Sequence, residues 1–154
     1  DQYKKETGAE KVVFAGCSNG GYMTLAMALA HGDKYDAYVP ICEAVNNDTI
    51  DEEEIKALAG LPIYFIYSED DTTCIPEELS IATYNRLIAA GAKNVHISST
   101  EHVIDMSGLY KNEDGTPYQY DGHWSWIYFD NNDSQCDECQ VKAWEWIGSV
   151  VNPQ

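Results

Sequence analysis

Val12-Val13-Phe14-Ala15-Gly16-Cys17-Ser18-Asn19-Gly20-Gly21-Tyr22-Met23 decides how the chain is read. Val12 to Ala15 is β-branched, aromatic and small, as a buried strand requires. Leu25, Ala26, Met27, Ala28, Leu29 and Ala30 are good helix formers, so a helix is expected over Gly20–His31, with Gly32 as its stop. Between them lies Gly-x-Ser-x-Gly. A serine on a sharp strand-to-helix turn projects its hydroxyl above the sheet. Gly16 and Gly20 are expected to be needed there, because a Cβ at either would crowd the neighbouring backbone. The helix N-terminus behind Ser18 leaves N–H groups without acceptors, pointing at whatever the hydroxyl attacks. The motif alone is weak; strand before and helix after make it the pattern of a nucleophile elbow.

At 154 residues the chain reads as one domain, 1–154, long enough to bury a core. No run of about 18 apolar residues suggests a membrane span. The first residues, Asp-Gln-Tyr-Lys-Lys-Glu, carry neither an initiator Met nor a signal peptide, which fits a mature or trimmed product. The net charge is −17, from 26 acidic and 9 basic residues. Such a surface repels phosphate backbones and anionic lipids, so neither nucleic acid nor membrane is an expected partner. Asp48 and Asp51 to Glu54 read as a solvated helix start, where acids favour the helix dipole; calcium binding is the alternative.

Five cysteines, 17, 42, 74, 136 and 139, make an odd number, against a fully paired disulfide framework. Cys17 and Cys42 lie in apolar stretches and read as buried free thiols. Cys136-Asp137-Glu138-Cys139 is a single CxxC. Zinc sites of that kind usually need a second pair, which the sequence lacks, so a local disulfide or two surface thiols is expected and no metal is assigned.

The rest of the chain alternates. Asp1–Glu10 reads as the tail of a helix with Gly8 near its cap. Tyr35–Cys42 reads as a second strand and Asn46–Gly60 as a polar loop and a helix capped by Asp48 or Thr49. Leu61–Tyr67 is a third strand, with a turn at Ser68–Thr73. A helix opened by Pro76 ends at Gly91, and Asn94–Ser98 is a fourth strand. Thr100–Tyr120 reads as an irregular loop or short hairpin over a site, Asn131–Asp137 as another loop, and Val141–Val151 as a closing helix. This alternation predicts an α/β chain with a parallel sheet of about four strands and right-handed crossovers.

A serine needs a base within hydrogen-bond reach, and the base needs a third group to orient it. On a parallel sheet with an elbow serine, the acid and then the histidine follow in later loops. Glu69, Asp70 and Asp71 follow the third strand; Asp71 is preferred, with Asp70 second. His31 reads as a helix cap and His96 lies within a strand. His102 and His123 follow the last strand, and His123 is preferred, between Gly122 and Trp124. The backbone N–H of Asn19 supplies one oxyanion donor. No earlier strand supplies the second. Trp124 and Tyr120 are the candidate substrate-binding rings; core packing is the alternative for the whole Tyr110–Tyr128 segment.

Gly16-Cys17-Ser18-Asn19-Gly20-Gly21-Tyr22-Met23, the Ser68–Pro76 turn and the His123 loop together resemble the C-terminal half of an α/β-hydrolase. The nearest branches are the secreted esterases, including poly(3-hydroxybutyrate) depolymerase-like and feruloyl-esterase-like proteins, and prolyl-oligopeptidase-type catalytic domains. The resemblance covers residues 1 to about 150. It matches Ser18 to the nucleophile, Asp71 to the acid and His123 to the base, and it implies a serine hydrolase acting on carboxylic esters without a cofactor. A prolyl-oligopeptidase-type peptidase, a non-catalytic binding module and a thiol redox role for Cys136 and Cys139 are the alternatives. In the family about eight strands form the sheet and the elbow follows the fifth. Here it follows the first, so a partial fold with its N-terminal strands missing is expected. That would leave an exposed sheet edge for the missing half or a second copy. The secreted branches imply a secreted or cell-surface setting, with the cytoplasm left open.

Overall fold

The computed structural model describes residues 2–153. Helix α1 (Gln2–Thr7) ends at Gly8, whose φ of +70° is the left-handed turn that terminates a helix. Strand β1 (Val13–Cys17) leads through Ser18 into α2 (Asn19–His31). Then come β2 (Ala37–Ile41), α3 (Glu52–Ala59), β3 (Ile63–Ser68), α4 (Ser80–Ala89), β4 (Val95–Thr100), α5 (Trp126–Asp130) and α6 (Ala143–Val151). The four strands form one parallel sheet in the order β1-β2-β3-β4. No helix among the described residues is long and apolar enough to cross a membrane.

Each face of the sheet carries its own core. Tyr38, Ile63 and Phe65 point to one side, onto Leu25 of α2, Ile55 and Leu58 of α3 and Leu87 of α4. Val39, Ile41, Tyr64 and Ile66 point to the other, onto Phe129, Trp146 and Ile147. Successive strand residues face opposite sides, so β2 and β3 must be apolar throughout to be covered on both. All residues of both strands are buried. β1, with a neighbour only on one side, leaves Ala15 and Cys17 exposed.

The structure moves several expected boundaries. β1 begins at Val13 and runs through Gly16 and Cys17, because its pairing with β2 continues to Ile41. Cys17 is therefore exposed on the edge strand rather than buried, whereas Cys42 is buried as expected. α2 begins one residue earlier than expected. Pro76 does not open α4: residues 76–79 form turns, and Leu79, at φ −115° and ψ −92°, breaks the path before Ser80. The cap of α3 is neither Asp48 nor Thr49 but Asp51. Its carboxylate accepts from the N–H groups of Glu53 and Glu54, and Glu54 answers on the Asp51 N–H. α6 starts at Ala143, because Val141 is engaged elsewhere: its carbonyl accepts from Tyr64 Oη and Cys136 N. The 101–120 segment is a loose hairpin held by the bridges Ile104–Gln119 and Lys111–Pro117.

Candidate active site

Ser18 sits at φ 57° and ψ −119°, a left-handed conformation that a serine adopts only under constraint. Its N–H donates to Ile41 O at 2.9 Å, and its carbonyl accepts from Tyr22 N at 3.0 Å. The strand end and the first helical turn thus hold it from both sides. Two glycines make room, but not the expected two. A Cβ on Gly16 would lie 2.6 Å from the Gly20 carbonyl carbon. A Cβ on Gly21 would lie 2.8 Å from Glu43 Cα. Gly20 itself faces open space, so its side of the expectation is corrected: it is Gly21 that lets α2 pack against the end of β2.

Asp71 lies in the turn after β3, its N–H donating to Ser68 O at 3.2 Å. Its side chain is fully buried. Oδ1 accepts from Thr73 N at 2.8 Å and Cys74 N at 2.9 Å. Oδ2 lies 2.9 Å from His123 Nδ1. His123 stands in a 3-10 turn, Gly122–Trp124, that Asp121 caps by accepting from the His123 N–H. Its Nε2 lies 2.9 Å from Ser18 Oγ. A carboxylate only accepts, so Nδ1 carries the proton and the Nε2 lone pair is left for the serine hydroxyl. Residues 18, 71 and 123, from three separate loops at the C-terminal ends of the strands, thus form one continuous hydrogen-bonded line.

The second-choice residues also meet. Asp70 Oδ2 accepts from His102 Nδ1 at 2.8 Å and from Gln119 Nε2 at 3.3 Å, and Asp70 Oδ1 accepts from Ser68 Oγ at 2.6 Å. The structure brings neither Asp70 nor His102 to Ser18. Glu69 turns to β4 instead, its N–H donating to Thr100 O. His31 ends α2, and His96 packs between Tyr64 and Trp146.

Gly122 is buried against the acid turn: a Cβ there would lie 2.6 Å from the carbonyl carbon of Asp70. The His123 loop is therefore seated directly on the backbone beside Asp71. Cys42, at φ 37°, closes the floor, its thiol in one cluster with Asp71 and His123. Burial pushes that thiol up to about 12, which keeps it neutral beside the carboxylate. No sequence pattern signals this contact, since Cys42 reads only as a buried free thiol in an apolar stretch.

Beside His123 the rings run outward from the core: Trp126 packs against the cluster around Phe129 and Trp146, while Trp124 is exposed. Tyr120 stacks on Trp124 at 5.9 Å, Trp124 on Trp126 at 6.0 Å, and Trp126 meets the His123 ring edge-on at 5.9 Å. Trp124 is 44 % exposed and Tyr118 45 %, so the strip presents aromatic surface to solvent next to the histidine. Asn19 opens α2, so its N–H is among those the helix leaves without an acceptor.

A four-stranded parallel sheet with flanking helices and a serine on a strained strand-to-helix turn is an α/β-hydrolase fold, present in part. Residues 2–59 match the Prolyl oligopeptidase family. Among solved structures, a thermostable esterase is similar at a TM-score of 0.57 and 23 % identity, over 78 % of this chain and 28 % of that one. The acylaminoacyl peptidase of Pyrococcus horikoshii is similar at 0.57 and 18 %, over 95 % and 28 %. An acylaminoacyl peptidase in complex with Z-Gly-Gly-Phe-chloromethyl ketone is similar at 0.51 and 20 %, over 66 % and 21 %. The chain thus spans less than a third of the length of each. No curated protein matches it.

Proposed function

We propose that the chain carries the catalytic centre of a serine hydrolase that cleaves carboxylic esters through an acyl-enzyme. The observation behind the reading is the unbroken line Ser18 Oγ, His123 Nε2, His123 Nδ1, Asp71 Oδ2, with 2.9 Å at both junctions. Ser18 Oγ attacks the carbonyl carbon while its proton passes to Nε2. The tetrahedral oxyanion lies against the Asn19 N–H at the start of α2. On collapse the C–O bond to the leaving group breaks and that oxygen takes the proton from Nε2. Water then attacks the acyl-serine, His123 takes its proton, and the carboxylic acid departs with Ser18 restored. Asp71 keeps the imidazole in the Nδ1–H tautomer and stabilises the imidazolium. Tyr120 and Trp124 offer a flat surface to an aromatic or acyl group. The open edge of β1 is where further strands carrying the second oxyanion donor would pair.

A prolyl-oligopeptidase-type peptidase is the second reading, favoured by the match of residues 2–59 to that family. Fluorophosphonate labelling followed by mass mapping tests both, with an adduct expected on Ser18. No adduct in a chain folded by circular dichroism would sink both readings for this chain. Turnover of a nitrophenyl ester but not of a peptide anilide selects the first; the reverse selects the second.

A further inference from the structure

The CxxC turn is not alone in the folded chain. β4 carries His96 to it from 40 residues upstream. His96 Nδ1 lies 3.7 Å from Cys136 Sγ and 3.5 Å from Cys139 Sγ. The three donor atoms lie within 4.8 Å of one another, on the side of the sheet opposite α2, α3 and α4. A tetrahedral zinc ion with Zn–S of about 2.3 Å and Zn–N of about 2.05 Å sets its N and S ligands about 3.6 Å apart. Both observed separations fall within 0.1 Å or so of that value.

The ring is already in the tautomer that a metal needs. Trp146 Nε1 can only donate, and it donates to Asn94 Oδ1 at 2.8 Å. That oxygen is therefore an acceptor, and His96 Nε2, at 3.2 Å from it, must be the second donor. The proton sits on Nε2 and the Nδ1 lone pair faces the two sulfurs. An outer partner that fixes the far nitrogen in this way is the usual companion of a metal-bound histidine. Tyr64 and Trp146, at 5.8 and 5.7 Å, hold the ring plane.

The turn is pre-formed as well. Cys139 N donates to Cys136 Sγ at 3.3 Å, and Gln140 N to Cys136 O at 3.0 Å, with Gln140 at φ 62°. Asp137 ties the turn to β4 twice: its N–H donates to Ile97 O, and its Oδ1 accepts from Ser99 N at 2.8 Å. Both thiols are thus fixed beside the imidazole before any ligand arrives, and exposed Cys139 gives a route in.

We propose that His96, Cys136 and Cys139 form a zinc site that clips the 131–142 segment to β4. Two soft thiolates and one imidazole select zinc over calcium or magnesium. Binding replaces the two thiol protons, which leave to solvent, and forms two Zn–S bonds and one Zn–N bond. Among the described residues no fourth donor joins the cluster, so water takes the fourth position.

The test is a Co2+ titration of the reduced chain, followed optically and by displacement with Zn2+. About one Co2+ per chain, with thiolate-to-cobalt charge-transfer absorption and tetrahedral visible bands, is expected, and Zn2+ should abolish both. Cys139→Ser, at an exposed position, should remove most of the charge-transfer band, and Cys17→Ser, on the far edge strand, should leave it intact. Asn94→Ala should weaken Co2+ binding about 10–100-fold. No charge-transfer band at excess Co2+ would overturn the proposal. So would a Cys136–Cys139 disulfide in chain purified from zinc-supplemented expression, or a band that survives Cys139→Ser.

Discussion

Two adjacent aspartates hold two histidines, and only one of the pairs reaches the serine. Asp71 and His123 face inward: the carboxylate is fully buried, the imidazole is 14 % exposed, and Oδ1 is held by two backbone N–H groups. Asp70 and His102 face outward, at 27 % and 46 % side-chain exposure, with Gln119 and Ser68 as neighbours. The residue types and the His–Asp separations, 2.9 and 2.8 Å, are nearly the same. What differs is what lies beyond the second imidazole nitrogen: Ser18 Oγ at 2.9 Å for His123, and Glu101 Oε1 at 3.8 Å for His102. A His–Asp pair is therefore not a site until burial fixes its geometry and a third group receives it.

The hardest way to break the contrast is to remove the inner line. Ser18→Ala or His123→Ala should each lower kcat on a nitrophenyl ester by about 10⁶, and Asp71→Asn by about 10⁴. Asp70→Asn is the matched control, expected to stay within about threefold, since exposed ion pairs contribute little. Equal losses at 70 and 71 would show that the two pairs work as one.

Much of this was legible in the sequence, for reasons that can be named. The strand, the elbow and the helix are local patterns, and a parallel sheet requires the apolar runs at 37–41 and 63–67. The acid turn and the histidine loop follow from chain order. The helix start at Ser80, the requirement at Gly21 and the exposure of Cys17 were not legible. They depend on what packs there: Glu43 beneath Gly21, and, among the described residues, no strand beyond β1. The approach of His96 to the CxxC turn was hidden for the same reason, since only tertiary contacts, Asp137 bonding Ile97 and Ser99, bring the 136–139 turn against β4.

Another buried acid, Glu43, sharpens what burial alone does. Asp71 has both oxygens occupied; Glu43 has one on Val45 N at 2.5 Å, and its Oε1 has no partner. Burial accordingly pushes Glu43 from 4.5 up to about 7. The folded chain then holds a proton that the unfolded chain has released, so stability falls as pH rises from 4.5 towards 7 and stays low above it. At roughly 1.4 kcal/mol per pKa unit the loss is about 3 kcal/mol. Glu43→Gln should flatten the pH dependence of the urea midpoint over that range. A variant that keeps the wild-type slope would place the titrating group elsewhere.

The two pairs touch at Gly122, which rests on Asp70 and positions His123. Gly122→Ala puts a methyl group 2.6 Å from the Asp70 carbonyl carbon, where backbone must move. A cost of about 1–3 kcal/mol in stability is expected. Because the loop carries His123, activity should fall more than stability does at a temperature where the variant is fully folded. Wild-type kcat with wild-type melting would mean that the loop yields without moving the imidazole.

The smallest effect belongs to the outer pair and is read by pH. The hydrogen bond to Asp70 raises His102 above 6.5. Burial pushes Asp70 up, but Ser68 and His102 outweigh it, and Asp70 lies below 3.8. The raised histidine contributes stability that is complete below 6.5 and is lost as pH rises through its folded pKa. The lowered aspartate contributes stability that is complete above 3.8 and is lost as pH falls through its own. The pair is thus fully formed between those two values. Asp70→Asn should bring the His102 ring-proton titration back down towards 6.5 while the fluorophosphonate reaction at Ser18 keeps its rate. If His102 titrates unchanged in that variant, its charge is held by Glu101 and Glu69 instead, and the outer pair is a contact of geometry alone.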